Sequence, residues 1–178
     1  MSLRNKIILP VFCIAMAWLL VDLFAARRDV SVLLPETVET TGVSHLWGAK
    51  DGFGLNANGA IFAVLDLSDS AAQSIADGGI LWLNAQPGGR ITPDWQPTPV
   101  PRTHFWMGRP DSTAGPWPNP TILAVREEYG AGPHIPRDPQ IALDAALNAQ
   151  GSFYAVGPGR LVAVVVPATR RAFVFYAG

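Results

Sequence analysis

The pattern of apolar and polar positions sets the first stretch of the chain apart from the rest. From Ile7 to Ala26 the residues IILPVFCIAMAWLLVDLFAA are apolar at almost every position, and Asp22 is the only charge among them. Twenty helical residues rise about 30 Å, the thickness of a bilayer's hydrocarbon core, so the pattern predicts a single transmembrane helix. A secretory signal that is removed has a shorter apolar centre and leaves through small residues in an A-x-A arrangement. Here the exit reads Leu23-Phe24-Ala25-Ala26, with a bulky residue at the outer position, and the expectation is a retained anchor. Cys13 follows Pro10-Val11-Phe12, which lacks the small residues of a lipidation site.

Past the anchor, residues 27–42 read as a polar connector and residues 43–178 as one domain, with organised structure expected from near Val43. Gly52-Phe53-Gly54-Leu55, the turn at Asn58-Gly59 and the run Ile61 to Leu67 suggest a hairpin. The return strand is apolar throughout apart from Asp66, which implies cover on both faces. Ser68 then caps a helix expected to end at Gly78-Gly79. Ile80 to Leu83 fits either a short strand or a further helical turn.

Between Pro87 and Pro120 the periodicity disappears under nine prolines. Proline withholds a backbone donor and holds its predecessor extended, so a long loop is expected, with at most a brief strand from His104 to Met107. The loop is rich in aromatics, carrying Trp95, Phe105, Trp106 and Trp117, unlike a disordered linker. Long irregular loops are often functional, which makes this the expected binding surface.

Order returns with two helices, each started by a cap-plus-proline pair, Asn119-Pro120 and Asp138-Pro139. The first carries Ile122, Val125 and Tyr129; the second carries Ile141, Leu143 and Leu147 and ends at Gly151. The tail reads as a three-stranded meander, Ser152 to Val156, Leu161 to Val166 and Ala172 to Tyr176. The expected class is α+β: a single N-terminal transmembrane helix, then one compact domain with a mainly antiparallel sheet, about three helices and the long Pro/Trp-rich loop.

Charge then sets the orientation and narrows the partners. Arg4 and Lys6 oppose Arg27 and Arg28 across the anchor; the amino terminus favours residues 1–6 as a cytoplasmic tail, with the domain at the outer, periplasmic face. The excess of Arg, Ala, Gly and Pro suits a bacterial genome, which makes the bilayer an inner membrane. Beyond the anchor eleven basic residues meet thirteen acidic ones with no run of either sign, so no nucleic acid partner is expected. Charged residues total 15%, against ~25% in typical globular chains, which suits a domain that docks on a protein partner or membrane complex. The membrane lipid is the other expected contact.

The chemistry on offer is sparse. Cys13 is the sole cysteine, so residues 27–178 hold no disulfide or thiol ligand. Gly42-Val43-Ser44-His45-Leu46-Trp47-Gly48 misses the G-x-S-x-G spacing of a nucleophile elbow. His45, His104 and His134 show no metal-ligand spacing, and Glu127 and Glu128 diverge by about 100° on a helix. No cofactor, metal or catalytic set is therefore assigned. The expected function is a noncatalytic, membrane-anchored accessory domain that binds through Trp95, His104, Phe105, Trp106 and Trp117. Asp22 and Trp18 are candidate contacts to a partner helix within the bilayer. The alternative is an exported envelope hydrolase, with His104 or His134 paired to Asp94, Asp111 or Asp138.

Overall fold

A computed structural model describes residue 30 and residues 33–48, 60–87, 94–111, 115–128, 134–158 and 161–177. The anchor at 7–26, with Asp22 and Trp18, and the Asn58-Gly59 turn lie outside the described residues. No helix among the described residues is long and apolar enough to cross a membrane.

The domain is α+β. Its sheet has six strands: β1 (Thr40–Gly48), β2 (Ala60–Leu67), β3 (Gln96–Pro97), β4 (Phe153–Gly157), β5 (Leu161–Val166) and β6 (Arg171–Ala177). Their spatial order is β1-β2-β6-β5-β4-β3, and every neighbouring pair is antiparallel. The helices are α1 (Asp69–Asn84), α2 (His104–Met107), α3 (Ile122–Glu128) and α4 (Arg137–Asn148). A 3-10 turn, Pro167–Thr169, joins β5 to β6 and leaves Arg170 left-handed at φ 54°.

Strands β2, β5 and β6 are apolar on both sides because the sheet is covered on both. One face carries Ile61, Ala63, Leu65, Ala163, Val165 and Val174 beneath Ala72, Ile75 and Leu83 of α1. The other carries Phe62, Val64, Val162, Val164, Phe173 and Phe175 beneath Trp106 of α2, Ile122 and Val125 of α3, and Leu143 and Leu147 of α4. This second layer is what places the Pro/Trp-rich segment against the sheet.

Several local expectations change. Val30, Leu33, Leu34 and Val38 are buried on the α1 side, so the stretch expected to be a polar connector fills part of the core, and β1 starts at Thr40 rather than near Val43. Ser68 caps α1 through its Oγ, which accepts from Ala71 N at 3.1 Å. The helix does not end at Gly78-Gly79: Gly79 leaves helical geometry at φ 55°, a conformation open to glycine, and the helix resumes to Asn84. The brief strand expected at His104 to Met107 is a single helical turn. In α4 the buried stripe is Pro139, Leu143, Ala146 and Leu147, whereas Ile141 is 56% exposed.

Candidate functional site

The long loop is fastened to the domain at three points and to itself at a fourth. Asn84 clasps Trp95, accepting from its backbone N at 2.8 Å and donating to its carbonyl at 3.3 Å. Thr98 and Ser152 bond reciprocally, the Thr98 hydroxyl donating to Ser152 O at 3.0 Å and accepting from Ser152 N at 3.2 Å. Val100 N donates to Leu147 O at 2.9 Å, and Trp117 N to Met107 O at 2.7 Å. Every one of these fixes backbone that the prolines leave without a sheet or helix ladder.

These ties determine where the aromatic candidates sit. Trp95 and Trp106 are buried, Trp95 on the α1 face of the sheet and Trp106 on the other. Trp106 meets Tyr154 edge-on, with ring centroids 5.5 Å apart, and Phe105 edge-on at 4.9 Å. Phe105 is half-buried. Trp82 is half-buried, and Trp95 is the more deeply buried indole. His104 is exposed, and Trp117 is half-buried beside a cleft. Of the five proposed binding residues, two therefore belong to the core.

The cleft has a volume of about 630 Å³ and lies between the 117–121 segment, α3 and α4. Its base is a polar junction centred on Asp144. Asp144 Oδ1 accepts from Ile122 N at 2.9 Å, and Oδ2 accepts from the Thr121 hydroxyl at 2.9 Å and from Gln140 Nε2 at 3.4 Å. Thr121 Oγ1 in turn accepts from Leu123 N at 3.2 Å. The start of α3 is thus capped by Thr121 and, across 22 residues of chain, by a carboxylate of α4, not by Asn119 as the cap-plus-proline pattern predicts. Burial pushes the Asp144 carboxyl above its ordinary value, and the bonds from Ile122, Thr121 and Gln140 offset only part of that.

The upper wall is built by Arg102 and Asn148. Arg102 Nη2 donates to Pro118 O at 2.6 Å and Nη1 to Asn119 Oδ1 at 3.4 Å. Asn148 Nδ2 donates to Pro120 O at 2.8 Å and to Asp144 O at 2.7 Å. Trp117 is seated by Gly108, whose φ of 79° and missing side chain let the indole lie directly over it. No protein family, curated protein or solved structure matches the chain, and the cleft is understood from its own chemistry.

Among the described residues, no hydrogen bond or ion pair joins His104 or His134 to Asp94, Asp111 or Asp138. His104, His134, Asp94, Asp111 and Asp138 are all exposed. The ion pairs between described residues are Arg109 with Glu128 and Arg170 with Asp69, and neither includes a histidine. No group of three or more metal-ligating side chains occurs among the described residues. Ser44 donates to Asp66, with His45 turned to a stack on Trp47 at 4.9 Å, so these groups form no relay.

Of the cleft residues, Arg102, Thr121, Gln140, Asp144 and Asn148 are given no role by the sequence pattern, and Asn119 enters it only as a helix cap. The Thr121–Asp144 contact joins positions 23 residues apart, and no spacing rule links them. Asn148 alone carried a signal, being an amide in the last turn of an apolar helix.

Proposed function

We propose that this chain is a noncatalytic binding domain, held by its N-terminal apolar segment at the outer face of a bacterial membrane, where it engages another envelope component through the cleft beside Trp117. The observation that carries the reading is the cleft itself: a concavity of about 630 Å³ with an indole at its wall and a base set by the Asp144 junction. Concave sites with an apolar wall and a few fixed polar groups are the usual form of a ligand pocket.

A protein partner or membrane complex would suit an aromatic-rich loop whose indoles were exposed. Burial of Trp95 and Trp106 removes two of those anchors, and Trp117 with the amides beside it is the exposed binding chemistry that remains in the loop. The anchor contributes by confining this cleft to the membrane surface, which raises its effective concentration toward anything else held there.

The test is gentle extraction of the intact tagged protein and identification of what accompanies it, comparing the wild type with Trp117→Ala and with Leu81→Ala, a control at a side chain 81% exposed and distant from the cleft. A companion lost only with Trp117→Ala supports the reading. Equal recovery from all three removes the cleft from the account.

A further inference from the structure

The charged groups of the cleft are tied into its wall and base. Arg102 spends one N–H on Pro118 O and one on Asn119 Oδ1, which braces the wall and leaves three donors of the guanidinium facing outward from those bonds. Both oxygens of Asp144 accept bonds from α3, Thr121 and Gln140, so the carboxylate caps a helix and is not presented to a cation.

What the internal bonds leave over is a mixture of donors and acceptors. Asn119 uses only its Oδ1, leaving the two N–H donors of its amide. Asn148 uses both N–H groups, leaving Oδ1 as an acceptor. Gln140 uses one N–H, leaving the other and Oε1. Beside them stands the half-buried Trp117, an aromatic plate fixed by Gly108. Donors and acceptors at short intervals next to an aromatic face match a ligand whose every polar group both gives and takes a hydrogen bond and whose ring presents a flat C–H surface.

We infer that the cleft beside Trp117 binds a saccharide: an uncharged, polyhydroxylated ring that packs its C–H face on the indole and places its hydroxyls among Asn119, Gln140 and Asn148. This rests on the reading of the cleft as the contact site and narrows the envelope component to a glycan. A protein segment is the less suitable occupant, because protein interfaces draw most of their affinity from several desolvated aromatic or Arg anchors, and this cleft offers one indole.

The experiment uses the full chain in lipid nanodiscs with fluorine-labelled tryptophan, the Trp117 resonance being assigned by its loss in Trp117→Phe. The protein is titrated with maltotetraose, with chitotetraose and with a blocked, uncharged Ala-Pro peptide. The inference expects a saturable shift of the Trp117 signal with at least one oligosaccharide, and none with the peptide. Asn119→Ala weakens that binding about tenfold, the loss of one good neutral hydrogen bond, while the other tryptophan signals hold their positions. No response to either sugar overturns the saccharide. A response to the peptide alone also overturns it but leaves the cleft as a contact site. No response to any probe, with the extracted companions unchanged in Trp117→Ala, removes both.

Discussion

A Cβ placed on Gly108 would lie 2.6 Å from Cζ3 of Trp117, inside any real carbon–carbon contact. The glycine at φ 79° and the indole above it therefore form one unit. Gly108→Ala is expected to cost about 1–3 kcal/mol, through left-handed strain and the collision together. Urea unfolding measures the cost, and a shifted Trp117 fluorine signal in the folded variant checks that the indole has moved.

Trp95 and Trp117 differ in kind although both come from the same loop. Trp95 is 1% exposed and its Nε1 has no hydrogen-bond partner among the described residues, so its side chain contributes through packing. Trp95→Ala is expected to destabilise by about 3–5 kcal/mol, as for other large core deletions, and Trp95→Phe by clearly less, since it keeps a ring and removes the orphaned N–H. Trp117→Ala, at a half-buried site, is expected to cost less than half as much as Trp95→Ala. Denaturant midpoints of the three variants decide this.

The Asp144 carboxyl makes a pH prediction with a definite sign. Its native pKa is raised from the ordinary 3.8, so the folded protein holds this proton more tightly than the unfolded chain does. The contribution is fully present below 3.8 and is lost as pH rises through the raised native value. Stability of the wild type minus that of Asp144→Asn should therefore fall over that window and stay level above it. Asp144→Ala, which strips the acceptor from Ile122 N–H and from the Thr121 hydroxyl, is expected to cost about 1–3 kcal/mol at neutral pH.

Leu33 and Leu34 are fully buried although they precede the first strand. A chain that begins at residue 43 is expected to be much less stable than one that begins at residue 27. Leu33→Ala and Leu34→Ala in the full chain are each expected to cost about 2–5 kcal/mol. Thermal unfolding of the shortened and substituted chains measures both effects.

Legibility in the sequence followed locality. The runs Ile61 to Leu67 and Leu161 to Val166 announced themselves as strands covered on two faces because side chains on both sides of the pleat are apolar. Ser68 was readable because an N-cap acts on a residue three positions away. Leu33 and Leu34 stand in a short apolar run from Val30 to Leu34, broken by Ser31, and so brief a run carries no period that would show two adjacent leucines folding back under α1. The inward turn of Trp95 depends on Asn84, and the path that follows depends on the bond pair of Thr98 with Ser152, both partners lying outside the loop. The cleft was the least legible part, since its defining carboxylate, Asp144, meets α3 only after the chain has turned through the second helix.

The most direct test of the central claim places a photoreactive side chain at position 118, on the exposed rim beside Trp117, and another at position 141, on the exposed face of the same helical layer, in the intact protein within living cells. The account predicts a discrete adduct on irradiation from position 118 and none from position 141. An adduct from position 141 alone, or none from either, would contradict it.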